Sequence, residues 1–162
     1  MFKYRSVLSD NHLIGAGRIK YLSREPLPAI VRPDYSPDQR CEQTHHEIKH
    51  QVPQAGVYGA MDNLNEESRE FDYLAAVPVK QIADVPEGLV GWEIPEAKYV
   101  VVTCTLPTIG KAFDYVYKNW LAQSGYERAC GPEFEFYDED FRPDDENSNM
   151  SIYIPIQDRA RG

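Results

Sequence analysis

AKYVVVTCTLPTIGKAFDYVYKNWLAQ, residues 97–123, changes its period halfway along. Tyr99 to Leu106 is a dense apolar run rich in β-branched residues, which reads as extended chain. From Ile109 onward the apolar positions are Ile109, Ala112, Phe113, Val116, Tyr117, Trp120 and Leu121. That spacing predicts a helix over 108–123, with Thr108 as its cap and Ser124-Gly125 as its stop. A strand feeding directly into a helix is the seed of an α+β fold.

Working outward, EFEFYDEDF (133–141) and MSIYIPIQ (150–157) read as two more strands joined by an acidic loop. Upstream, GLVGWEIP adds extended chain that breaks at Ile94-Pro95. The first half repeats the plan. HLIGAGRIKYL (12–22) is a strand, DQRCEQTHHEIKHQ (38–51) a helix, and AGVYGAMD (55–62) with EFDYLAAVPV (70–79) a hairpin. Four prolines in residues 24–38 forbid regular structure there. The expectation is one α+β domain, 1–162, of duplicated βαββ units with halves at 1–85 and 86–162. It has an antiparallel sheet, two helices, pseudo-two-fold symmetry and a central cleft.

The chain has 162 residues and a formal charge of −9, from 26 acidic against 17 basic side chains. That balance argues against nucleic acid as a direct partner, because phosphate binding needs a basic face. It suits cationic small molecules. The three cysteines, Cys41, Cys104 and Cys130, form no Cys-x-x-Cys pair and no closed disulfide set, which fits a reducing compartment. With no secretory leader and no apolar run long enough to span a bilayer, the expected location is the cytoplasm, without a membrane partner.

The chemistry concentrates near the C-terminus. On a strand side chains alternate faces, so Phe134 and Phe136 share one face of 133–141, and Glu135 and Tyr137 the other. On 150–157, Ile152, Ile154 and Ile156 share a face opposite Tyr153. If the two strands pair apolar face to apolar face, Glu135, Tyr137 and Tyr153 cluster on the other side. That side is either solvent or an inner cleft. In a cleft a carboxylate is costly to bury, phenol hydroxyls offset part of the cost, and a bound cation offsets more. Trp92, Tyr58, Tyr73 and Tyr99 are further candidates for its walls.

Three motifs carry a resemblance: WLxxSGYE at 120–127, PxFExY at 132–137 and IYIPI at 152–156. Over roughly residues 55–157 the chain resembles the GyrI-like (gyrase-inhibitor-like) effector-binding domains. These occur in AraC-type and multidrug-sensing regulators and as integron-encoded drug-binding proteins. The resemblance implies a pocket for lipophilic, often cationic aromatic molecules, with Glu135 at its floor and Tyr153 beside it, and no cofactor. It also implies an alternative, hydrolysis of strained cyclopropane-type molecules with Glu135 as the catalytic group. A third reading is an acidic surface that meets a protein partner. Nothing in this sequence resembles a helix-turn-helix, so no fused DNA-binding half is expected, and a homodimer is compatible with the family. The first third departs from the pattern, being proline-rich and then CEQTHHEIKH where the family carries an apolar helix.

His46-Glu47-x-x-His50 has the spacing of zinc peptidases, whose two histidines sit one helical turn apart. Against that reading, the helix ends at Pro53 and no companion helix follows to offer a third ligand. His46 and His50, with Cys41 and His45, remain candidates for opportunistic metal binding, and no metal centre is expected.

Overall fold

The computed structural model describes residues 3–9, 12–22, 48–62, 70–86, 89–94 and 97–160. The strands are β1 (Lys3–Ser9), β2 (His12–Leu22), β3 (Val57–Asp62), β4 (Glu70–Pro78), β5 (Val90–Ile94), β6 (Ala97–Thr105), β7 (Tyr126–Arg128), β8 (Glu133–Tyr137) and β9 (Asn149–Asp158). They form one antiparallel sheet in the order β1-β6-β9-β8-β3-β4-β2-β5, with β7 added beside the C-terminal end of β9. The β3–β8 pair lies at the centre. On one side of it runs β4-β2 and on the other β9-β6, each a hairpin followed by the strand that precedes it in the chain.

One helical run, Leu106 to Gln123, follows β6 as expected and lies across one face of the sheet. Its first turn is held differently from the expectation. Thr108 makes no forward cap; its hydroxyl donates back to the Thr105 carbonyl at 3.2 Å and accepts from the Thr105 N–H at 3.0 Å. The stretch Val116–Trp120 is a π-type turn, in which the Leu121 N–H reaches the carbonyl of Val116. At the far end Arg159 donates to the Leu121 carbonyl at 2.7 Å, satisfying an orphan acceptor of the last turn. Ala112, Phe113, Val116 and Trp120 are buried against Val100, Val102, Ile152, Ile154 and Ile156. Fully burying each large apolar side chain contributes about 1.5–3 kcal/mol, so this seam is a main source of stability. Among the described residues no helix is long and apolar enough to cross a membrane.

The second helix of the duplicated plan, expected over 38–51, falls mainly outside the described residues. Its described end corrects the expectation. Residues 48–51 are not helical; His50 has φ +61°, and Gln51 bridges to Val79. The segment is tied to the end of β4 and its extension instead, with Val52 N–H on the Pro78 carbonyl at 2.9 Å and Lys80 N–H on the His50 carbonyl at 2.8 Å. β1 was not anticipated. KYRSVLS has no clean alternation, and it is extended because it pairs along β6 from Lys3↔Thr103 to Ser9↔Ala97.

Candidate functional site

Strand register decides which side chains meet. β8 pairs with β9 as Phe134↔Tyr153 and Glu135↔Ile152. Directly opposed residues of an antiparallel pair share a face. So Glu135 lies on the helix-bearing face with Ile152, and Tyr153 lies on the opposite face with Phe134. The two strands do not match apolar face to apolar face, and this corrects the expectation that Tyr153 sits beside Glu135.

On the helix-bearing face Glu135 is the one buried charged side chain among the described residues, with 3% of its surface exposed. Its Oε2 accepts from the Tyr137 hydroxyl at 2.7 Å and from the Tyr73 hydroxyl at 3.0 Å. Tyr137 arrives from the same strand, two residues on. Tyr73 comes from β4, across β3, and reaches Glu135 over Gly59, which pairs with Glu135 on one side and Ala75 on the other. A Cβ at Gly59 would collide with the Tyr73 hydroxyl and lie 2.8 Å from Glu135 Oε2. An isolated glycine within a strand signals such a close approach. Read that way, AGVYGAMD would have exposed Gly59 as part of the site.

A hydrogen bond to a charged group contributes about 1.5–3 kcal/mol. Desolvating a lone carboxylate costs several. Two phenols therefore roughly balance the burial of this acid. The carboxylate also acts on its surroundings: burial first, and after it the charge of Glu135, pushes the Cys104 thiol up to about 12.

The remaining tyrosine candidates lie on the other face. Phe134 stacks on Tyr153 with centroids 4.5 Å apart and rings 16° from parallel. Tyr99 meets Phe134 at 5.1 Å, and Tyr58 meets Phe136 at 5.0 Å. Trp92 packs against the same cluster. Burial, then the neighbouring Tyr153, pushes the Tyr58 phenol up to about 12. Of the seven residues expected around a ligand, Glu135, Tyr137 and Tyr73 come together, while Tyr58, Tyr99, Tyr153 and Trp92 form an aromatic layer behind the sheet.

A second polar group went unnoticed in the sequence. Glu133, also on the helix-bearing face, accepts from the Tyr117 hydroxyl and from Arg128 Nε at 2.7 Å. Burial raises the Tyr117 phenol, and Glu133 raises it further. Burial opposes the Arg128 cation, yet the hydrogen bond and charge of Glu133 outweigh it and raise its pKa. This trio locks the π-type turn to β8 and so fixes the strand that carries Glu135.

The zinc-peptidase arrangement is not supported at its described end. His46 lies outside the described residues, and His50 is exposed in a left-handed conformation, its Nε2 3.2 Å from Gln81 Nε2. The helix needed to align the two histidines does not run through His50. Among the described residues no group of three or more His, Cys, Asp or Glu side chains is placed to hold a metal.

The profile of the Cass2 family, "Integron-associated effector binding protein", matches residues 37–156. The transcriptional regulator BrlR of Pseudomonas aeruginosa is 43% identical over 90 residues, 54% of this chain. The chain spans about a third of that curated relative, 33% of its length. An integron cassette protein from the mobile metagenome of Vibrio cholerae superposes with a TM-score of 0.66 at 15% identity, covering 96% of this chain and 97% of the other. The protein SAV2435, solved bound to tetraphenylphosphonium, superposes with a TM-score of 0.65 at 17% identity, covering 96% and 94%. At such identities the two structures speak to the shared fold.

Proposed function

This chain belongs to the family of integron-associated effector binding proteins, and from that membership we propose that its effector is a lipophilic aromatic cation held by Glu135. The observation that carries the reading is a carboxylate only 3% exposed, with two phenol hydroxyls converging on one of its oxygens. Those hydroxyls donate to the carboxylate and aim it, and the two rings offer π faces to a cation. A delocalised organic cation suits such a site because it sheds water cheaply and then meets a charge that water no longer screens. A superposable structure bound to tetraphenylphosphonium supports the ligand class.

Titration of intrinsic tryptophan fluorescence with tetraphenylphosphonium tests this. Glu135→Gln keeps the shape of the side chain and removes its charge. Affinity is expected to fall on the order of 10- to 100-fold, the scale of one close charge pair after partial screening. The variant's thermal melt shows that it remains folded. Unchanged affinity in a folded Glu135→Gln protein would overturn the reading.

A further inference from the structure

A cleft of about 300 Å³ opens at one end of the central strands, between residues 51–57 with Val77 and Pro78 on one side and Tyr137, Asp138 and Glu139 on the other. That volume is at the lower end of small-molecule pockets. Its first wall is largely apolar, and Val57 in it is 40% exposed. The wall meets β8 where Val57 pairs with Tyr137 and at Gly56 before it, where φ is +69° and a Cβ would collide with the Tyr137 carbonyl. Its second wall ends in two exposed acids. Asp138 accepts the Asp140 N–H at 3.1 Å, and neither Asp138 nor Glu139 is in an ion pair among the described residues. Arg142 lies near but gives Nη1 to the carbonyls of Glu139 and Phe141, each at 2.9 Å. Tyr137 belongs to both places: it lines this cleft, and its hydroxyl is on Glu135.

We propose that this cleft is an outer subsite where the organic cation docks before it reaches Glu135, with Tyr137 as the residue common to both stations. The apolar wall takes the hydrocarbon body of the ligand, and Asp138 and Glu139 draw in its charge. This rests on the cation reading of Glu135 and goes beyond it by assigning the way in and two steering residues. An acidic mouth raises the local concentration of a cation and its association rate, an effect that salt removes.

Stopped-flow mixing with rhodamine 6G, a flat fluorescent cation, separates the possibilities. At low salt the association rate constant of Asp138→Asn/Glu139→Gln is expected to fall on the order of tenfold. At high salt it converges on wild type, and dissociation is unchanged at both. Asp144→Asn/Glu146→Gln, which removes the same charge from the far part of the acidic loop, keeps the wild-type rate. Val57→Trp, which fills the cleft from an exposed position, slows association at every salt concentration. Wild-type association in both cleft variants, or an equal loss in the Asp144/Glu146 control, overturns the outer subsite. In that case weakened binding by Glu135→Gln would leave the inner site standing. Absence of rhodamine binding to the wild-type protein itself would overturn both.

Discussion

The two faces of the central sheet use the same residue type for opposite ends. On the helix-bearing face Tyr73 and Tyr137 turn their hydroxyls onto one oxygen of Glu135. On the other face Tyr58, Tyr99 and Tyr153 present rings to Phe134 and to one another. A tyrosine-rich sequence is therefore no map of a binding site. What separates a polar tyrosine from a packing one is the parity of its position on the strand and the register of that strand with its neighbour.

The largest effect is expected where the comparison is most one-sided. Phe134 is 1% exposed and touches Tyr58, Tyr99 and Tyr153. Phe134→Ala should destabilise the fold by about 3–5 kcal/mol, through lost transfer energy and the cavity left behind. Urea unfolding measures this. If the two faces are separate in function, the remaining folded protein binds tetraphenylphosphonium like wild type. A large loss of affinity at full folding would join the faces into one site.

Deleting single hydroxyls sharpens the contrast. Tyr137→Phe and Tyr73→Phe each remove a donor from a buried carboxylate and should each cost about 1–3 kcal/mol. Tyr153→Phe removes a hydroxyl from the packing face and should change stability by less than about 0.5 kcal/mol. Three chemical denaturation curves decide it. Equal costs at Tyr137 and Tyr153 would show that the two faces do not differ in this way.

The smallest effect is a slope with pH. Cys104 stands on the Glu135 face and Tyr58 on the other, and both hold their protons to about 12, from ordinary values of 9.0 and 10.0. A raised folded-state value means that the native protein keeps a proton the unfolded chain has lost. Stability is thus fully present below pH 9 and falls as the pH climbs through 9 to about 12. Cys104→Ala should delay the onset of that fall from 9 toward 10, where the raised phenols of Tyr58 and Tyr117 act. At neutral pH the native protein should alkylate at exposed Cys130 well before buried Cys104. Peptide mapping after brief alkylation checks this, and rapid labelling of Cys104 would contradict its burial against Glu135.

Much of the architecture was legible because it is local. The 3.6-residue spacing of Phe113, Val116 and Trp120 gave away the helix, and the flanking strands β2, β4, β6 and β9 stood out from their apolar runs. Glu135 was legible from its family motif and its alternation with Phe134 and Phe136. Register was not legible, because it is set by partners far away in the chain. Nothing in EFEFY or SIYIPI says that Phe134 opposes Tyr153 rather than Ile152, and that single step moves Tyr153 to the far side of the sheet. β1 was missed for a related reason: its strand character comes from β6, not from its own composition. The end of the HEIKH segment departs from the expected helix because a stop at Pro53 says nothing of the left-handed turn at His50, which two backbone hydrogen bonds to β4 and its extension hold in place.

The most direct measurement is a crystal structure of the protein soaked with tetraphenylarsonium, in which anomalous scattering from arsenic marks the cation. The arsenic peak is expected on the helix-bearing face, beside the Glu135 carboxylate and within about 6 Å of the Tyr73 or Tyr137 ring. A peak over Phe136 and Tyr153, with the Glu135 surroundings unchanged, would contradict the assignment of Glu135 as the counter-charge.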